Sequence, residues 1–214
     1  MTIRQRIGLL VPGARERRRQ IAAFGEVWRQ GNDAAATGSG RLWAVLGDST
    51  AQAIGASRPD YGYVGQVRTW LDQRGEAAWR VVNLSRSGAT SADVVAEQLA
   101  ALAELASPDL VSCAVGANDL LRPSEPLASS LRSIAAALPP GSLLANLPRG
   151  LREGKAARIN ALIAELAEAH DLHVVDLWSA TGPPWGGKFS ADHFHPNDNG
   201  YRAWADAFIA AIEH

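Results

Sequence analysis

Two rhythms of hydrophobic residues alternate along this chain. Short apolar runs occur at 42–46, 80–84, 110–115, 142–147 and 173–177. Between them lie longer stretches in which apolar residues return every three or four positions. A short unbroken run suits a strand buried on both faces, whereas the three-and-four spacing lays one apolar stripe along a helix. The stripe of helix 61–74 is Val64, Val67, Trp70 and Leu71, with Asp60 as its N-cap. Helix 91–106 turns Val94, Val95, Leu99, Leu102 and Leu105 inward. Helix 127–138 stops at Pro139-Pro140-Gly141, helix 152–170 buries Ile159, Leu162, Ile163 and Leu166, and a last helix covers 197–212. Residues 50–54 read as the first turn of one more helix.

Strands that alternate with helices of this length build βαβ units on a parallel sheet, with right-handed crossovers. The expected architecture is α/β: a three-layer sandwich in which five parallel strands lie between two layers of helices.

Residues 1–40 stand apart from this alternation. Ile3, Ile7 and Leu10 share one helical face, Pro12-Gly13 breaks it, and Ile21, Phe24 and Trp28 form a second stripe. Gly38-Ser39-Gly40 reads as a flexible joint. The division expected is an N-terminal helical extension, 1–40, and a main domain, 41–214. The basic run from Arg15 to Arg19 gives the extension three readings: a helix packed on the domain with a solvated basic face, a contact between two copies of the chain, or attachment to an acidic membrane surface. The first is preferred, and the third is the weakest because the basic residues are few.

Composition narrows the function classes. The net charge of −1 gives no global basic field for nucleic acid. No apolar run approaches the ~20 residues that span a bilayer. The apolar stretch from Ile7 to Val11 is shorter than the roughly 7–15 residues of a secretory signal, so a cytoplasmic location is expected. A single cysteine, Cys113, permits no intramolecular disulfide and reads as a small buried hydrophobe.

The chemistry lies in the segments just beyond the strands. Gly47-Asp48-Ser49-Thr50 comes after the first, Asn83 to Thr90 after the second, and Gly116-Ala117-Asn118-Asp119 after the third. Asp192-His193-Phe194-His195-Pro196 comes after the fifth strand and a long loop. In a parallel sheet these segments emerge at one edge, where open α/β proteins carry their sites. A serine there is a candidate nucleophile if a base and an oxyanion site accompany it. His195 can take the Ser49 proton, and Asp192, three residues earlier, can fix the other ring nitrogen. Candidate oxyanion donors are the N–H groups of Ser49 and Gly88 and the Asn118 amide.

These four blocks resemble those of the SGNH (GDSL-type) hydrolase superfamily, in that family's order, over roughly residues 42–212. The resemblance implies a flavodoxin-like sheet and an esterase, lipase or thioesterase working without a metal or other cofactor. It assigns Ser49 as nucleophile, Asp192 and His195 as the remaining triad members, and Ser49, Gly88 and Asn118 as oxyanion donors. The implied partner is a small acyl ester or thioester, not a nucleic acid. The chain departs from the family's pattern at Thr50, where leucine is usual, and at Ser85, where glycine is frequent.

Other residues have competing roles. Asp48 and Asp119 read as turn supports. The alternative is a metal-dependent phosphoesterase using Asp48, Asp119, His193 and His195, for which further ligands are wanting near the other strand ends. A non-catalytic binding module is the third reading. Trp185 and Phe189, on a glycine-rich loop, are expected to wall the acyl pocket together with Thr50 and Leu120.

Overall fold

The computed structural model describes residues 13–75, 77–122 and 126–213. The stripe at Ile3, Ile7 and Leu10 lies outside them. The first described helix, α1 (Ala14–Thr37), precedes strand β1 (Arg41–Gly47). Helix α2 (Tyr63–Arg74) leads to β2 (Trp79–Asn83). Helix α3 runs from Ser91–Asp93 through a wider π-type stretch, Val94–Gln98, into Leu99–Ala103. Then come β3 (Leu110–Ala114), α4 (Ala117–Leu121), α5 (Leu127–Ala137), β4 (Leu143–Ala145), α6 (Glu153–Ala169) and β5 (His173–Val175). Short α7 (Leu177–Ala180) and long α8 (Asp198–Ile212) close the chain.

The five strands form one sheet in the order β2-β1-β3-β4-β5, and every neighbouring pair is parallel. The expected sheet is therefore the observed one. All of β1 after Arg41 is buried, as an interior strand covered on both faces must be. Alternate residues serve opposite layers. Trp43 and Val45 enter the core under α2 and α8, against Tyr63, Val67, Tyr201 and Phe208. Ala44 and Leu46 enter the core under α3, α5 and α6, against Val94, Leu131, Ile134 and Ile163. The Tyr63 and Phe208 rings stack with centroids 4.4 Å apart.

Helix α1 lies along β2, the edge strand. Ala35 packs with Leu42 and Val82, and Phe24 and Trp28 pack against the core under α2 and α8. Asn32 pairs with the main chain of Asn83 in both directions: its amide donates to the carbonyl at 2.9 Å, and its oxygen accepts the N–H at 2.7 Å. The segment read as a flexible joint is tied down as well. The Arg80 guanidinium donates to the carbonyls of Gly40 and Ala35.

Two local expectations fail away from the site. Asp60 does not cap α2; it lies in the 3-10 turn Pro59–Tyr61, and Gly62 is the N-cap. The strands at 142–147 and 173–177 are shorter than their apolar runs. Asp176 leaves β5 to cap α7, its carboxylate accepting the Ser179 N–H. No helix among the described residues is long and apolar enough to cross a membrane.

Candidate active site

The polar segments meet at the carboxyl edge of the sheet. Ser49 stands two residues beyond β1 and is buried. Gly47, the last residue of β1, has φ of 152°. A Cβ there would lie 2.5 Å from the Ala114 carbonyl oxygen of β3, so glycine lets the two strands close up beneath the serine. The Gln98 amide grips the same residue, accepting the Gly47 N–H at 2.8 Å and donating to its carbonyl at 2.9 Å. Gln98 ends the π-type stretch of α3. Hydrophobic spacing gives no sign of this clamp.

Ser49 Oγ lies 2.9 Å from His195 Nε2, and His195 Nδ1 lies 2.6 Å from Asp192 Oδ2. His195 and the Asp192 side chain are almost fully buried. The other Asp192 oxygen accepts three bonds, from Ser190 Oγ at 2.8 Å, Phe194 N–H at 3.0 Å and His195 N–H at 2.9 Å. Burial alone raises the pKa of this carboxyl. The bonds from the His195 ring and from the His195 and Phe194 N–H groups outweigh it and hold the pKa well below the usual range. Asp192 is thus an anion fixed in orientation beside the imidazole.

Residues 50–54 do not form the expected helix. They run as successive turns, with Ala53 at φ of 66°. The reason is competition for carbonyl groups. Ala51 accepts from the Asn83 amide, Gln52 from the Trp28 indole N–H, and Ile54 from the Tyr201 hydroxyl. Carbonyls engaged by distant side chains are not left to a helical ladder.

Asp48 and Asp119 are turn supports. Asp48 Oδ1 accepts the N–H and hydroxyl of Thr50, which accounts for a polar residue at position 50. Burial pushes the Asp48 carboxyl up, against the bonds from Thr50. Asp119 accepts from the N–H and hydroxyl of Ser91. Among the described residues no three His, Cys, Asp or Glu side chains cluster as metal ligands would. Ser85 bonds the Asn83 side chain through its N–H and hydroxyl, so its hydroxyl is engaged beneath the loop that carries Gly88.

The Asn118 amide donates to the Ala89 carbonyl at 2.9 Å and makes a long 3.5 Å bond to Asp48. Gly88, at φ of 81°, turns the loop after β2 and is exposed. A cleft of about 190 Å³ opens beside Ser49. Thr50, Leu120, Trp185 and Phe189 all line it, joined by Phe194 and Trp204, to which hydrophobic patterning gave no such role.

An all-parallel α/β sheet with a buried serine bonded to a histidine at its carboxyl edge is the arrangement of α/β hydrolases that use a serine nucleophile. The chain belongs to the GDSL-like lipase/acylhydrolase family, whose sequence profile matches residues 45–203. Similar solved structures agree. TesA is 26% identical, with a TM-score of 0.67 over 81% of this chain and 98% of its own. Axe2, an acetylxylan esterase from Geobacillus stearothermophilus, is 23% identical with a TM-score of 0.65, over 84% of this chain and 97% of its own. A lipase/acylhydrolase from Enterococcus faecalis is 22% identical with a TM-score of 0.63, over 81% and 95%. No curated protein matches the chain.

Proposed function

We propose that the protein hydrolyses small acyl esters or thioesters through a covalent acyl-enzyme, with Ser49, His195 and Asp192 as nucleophile, base and orienting carboxylate. The observation that carries this reading is the continuous relay from Ser49 Oγ through the His195 ring to Asp192 Oδ2, with spacings of 2.9 and 2.6 Å. His195 Nε2 takes the hydroxyl proton as Ser49 Oγ attacks the substrate carbonyl. The tetrahedral intermediate collapses, the C–O or C–S bond breaks, and the leaving alcohol or thiol carries off that proton. Water then attacks the acyl-enzyme by the same route and releases the acid.

The negative oxygen of each intermediate takes bonds from the Ser49 and Gly88 N–H groups and the Asn118 amide. One Asn118 hydrogen is committed to Ala89. The other makes only the 3.5 Å bond to Asp48, which a substrate oxygen can replace. The cleft supports an apolar acyl group: its walls are Leu120, Trp185, Phe189, Phe194 and Trp204, and its volume is below the roughly 300–1,000 Å³ of drug-sized ligand sites.

The test is turnover of p-nitrophenyl esters of increasing acyl length. Ser49→Ala lowers kcat by at least about 10³-fold, leaving the residual catalysis of binding and oxyanion stabilisation. A fluorophosphonate labels the parent protein and not this variant. A chelator leaves the rate unchanged; a rate lost to chelation and restored by zinc or manganese favours the phosphoesterase instead. Parent-like turnover by Ser49→Ala overturns the assignment.

A further inference from the structure

Helix α1 lies entirely before the matched span 45–203, yet it touches the machinery of the site at several points. Its N-cap, Gly13, is pressed onto the backbone of the triad loop: a Cβ there would lie 2.6 Å from the Asp192 nitrogen. One turn along, Arg17 Nη1 is 3.6 Å from Asp192 Oδ2. Gln20, on the same face, brackets the turn after the serine. It accepts the Gly55 N–H at 2.9 Å and donates to the Ala56 carbonyl at 2.9 Å. Gly55 packs so closely on His195 and Pro196 that a Cβ would lie 2.7 Å from His195 Cβ. Farther along, the Trp28 indole donates to the Gln52 carbonyl, and the Gln52 amide bonds Ser85 and Ser87 in the loop before Gly88.

We propose that Arg17 is a positioning residue for Asp192, and that through it α1 is a working part of the hydrolytic site. This rests on the triad reading given above. Asp192 Oδ1 is held by three donors, whereas Oδ2, the oxygen that must face the imidazole, has His195 Nδ1 and the Arg17 cation. The cation holds that oxygen in place and limits rotation of the carboxylate. The Arg17 side chain is 36% exposed against 3% for Asp192, so solvent screens the attraction and the effect is a few-fold change in rate. At 3.6 Å the contact is a matter of charge more than of hydrogen-bond geometry, so lysine can replace arginine.

The experiment compares kcat and KM on one p-nitrophenyl ester for the parent, Ser49→Ala, Arg17→Gln, Arg17→Lys, Asp192→Asn and the Arg17→Gln/Asp192→Asn pair. Arg17→Gln lowers kcat about three- to fivefold with KM within about twofold. Arg17→Lys restores kcat to within about twofold of the parent. In the Asp192→Asn background Arg17→Gln changes kcat by less than about 1.5-fold, because the carboxylate it acts on is gone. An equal loss in both backgrounds, no loss in the parent background, or a lysine variant as slow as the glutamine variant overturns the proposal. Parent-like turnover by Ser49→Ala overturns the triad reading itself, a result distinct from all of these.

Discussion

Ser49 and His195 arrive at the same point on different kinds of support. The serine follows β1, an interior strand paired on both sides and buried from Leu42 onward. The histidine stands between α7 and α8, on residues 181–197, where the one strand-like pairing is an isolated bridge between Phe189 and Pro196. That loop is held by polar side chains bonded to its own backbone. The Asn197 amide donates to the carbonyls of Gly187 and Phe189, the Lys188 ammonium donates to the Gly182 carbonyl, and Asp192 gathers its three donors. One support is hydrophobic and belongs to the whole fold; the other is a network of hydrogen bonds made largely within the loop, against which Gly13, Arg17 and Gly55 close from outside. Damage to the first should therefore show as lost stability, and damage to the second as lost turnover.

Trp43→Ala is the largest break on the sheet side. It empties a fully buried site and orphans the hydrogen bond from the indole to Ser112. Urea unfolding should show a loss of about 3–5 kcal/mol, while kcat of the folded fraction stays within a few-fold of the parent. Asn197→Ala is the matching break in the loop. It removes the α8 cap, whose oxygen accepts the Asn199 and Gly200 N–H groups, together with the bonds to Gly187 and Phe189. Stability should fall by about 1–2 kcal/mol, and kcat/KM should fall about tenfold as the histidine loop loosens. If the two variants exchange these signatures, the contrast between the supports is wrong.

Acid sharpens the same contrast. The folded-state pKa of Asp192 is depressed, so its contribution is complete above the unfolded value of about 3.9 and is lost as pH falls through the lower folded value. Urea titrations of the parent and Asp192→Asn should show a stability gap that is present above about pH 5 and closes as the pH falls below about 4. A gap that persists in strong acid contradicts an ionised, bonded Asp192. The smallest effect belongs to the sheet side. Among the described residues Tyr63 Oη is buried with no hydrogen-bond partner, so Tyr63→Phe should not lower stability and can raise it by up to about 1 kcal/mol.

The same division decides what was legible in the sequence. Strands such as β1 announce themselves, because a segment buried on two faces can hold little but apolar residues. The Ser49, Asn118 and Asp192–His195 segments were legible because they come after strands at one edge, and their composition repeats a known family's blocks. The turn at 50–54 was not, since its carbonyls answer to Asn83, Trp28 and Tyr201, which lie far away in sequence. Gln98 escaped notice for a similar reason: its grip on Gly47 depends on the wider winding of α3, and hydrophobic periodicity does not register that. Arg17 lay in a basic run for which a solvated face was the preferred of three readings.

The pairing of Asn32 with Asn83 carries a consequence for the protein's life in a crowded solution. A sheet of five strands has two open margins, and each is a template on which another polypeptide can add a strand. At the Asn83 end of β2 that invitation is withdrawn, because the Asn32 side chain already occupies an amide and a carbonyl that a newcomer would need. A proteolytic cut that freed α1 would therefore do more than shorten the chain: it would expose an adhesive seam, and self-association would be its earliest symptom.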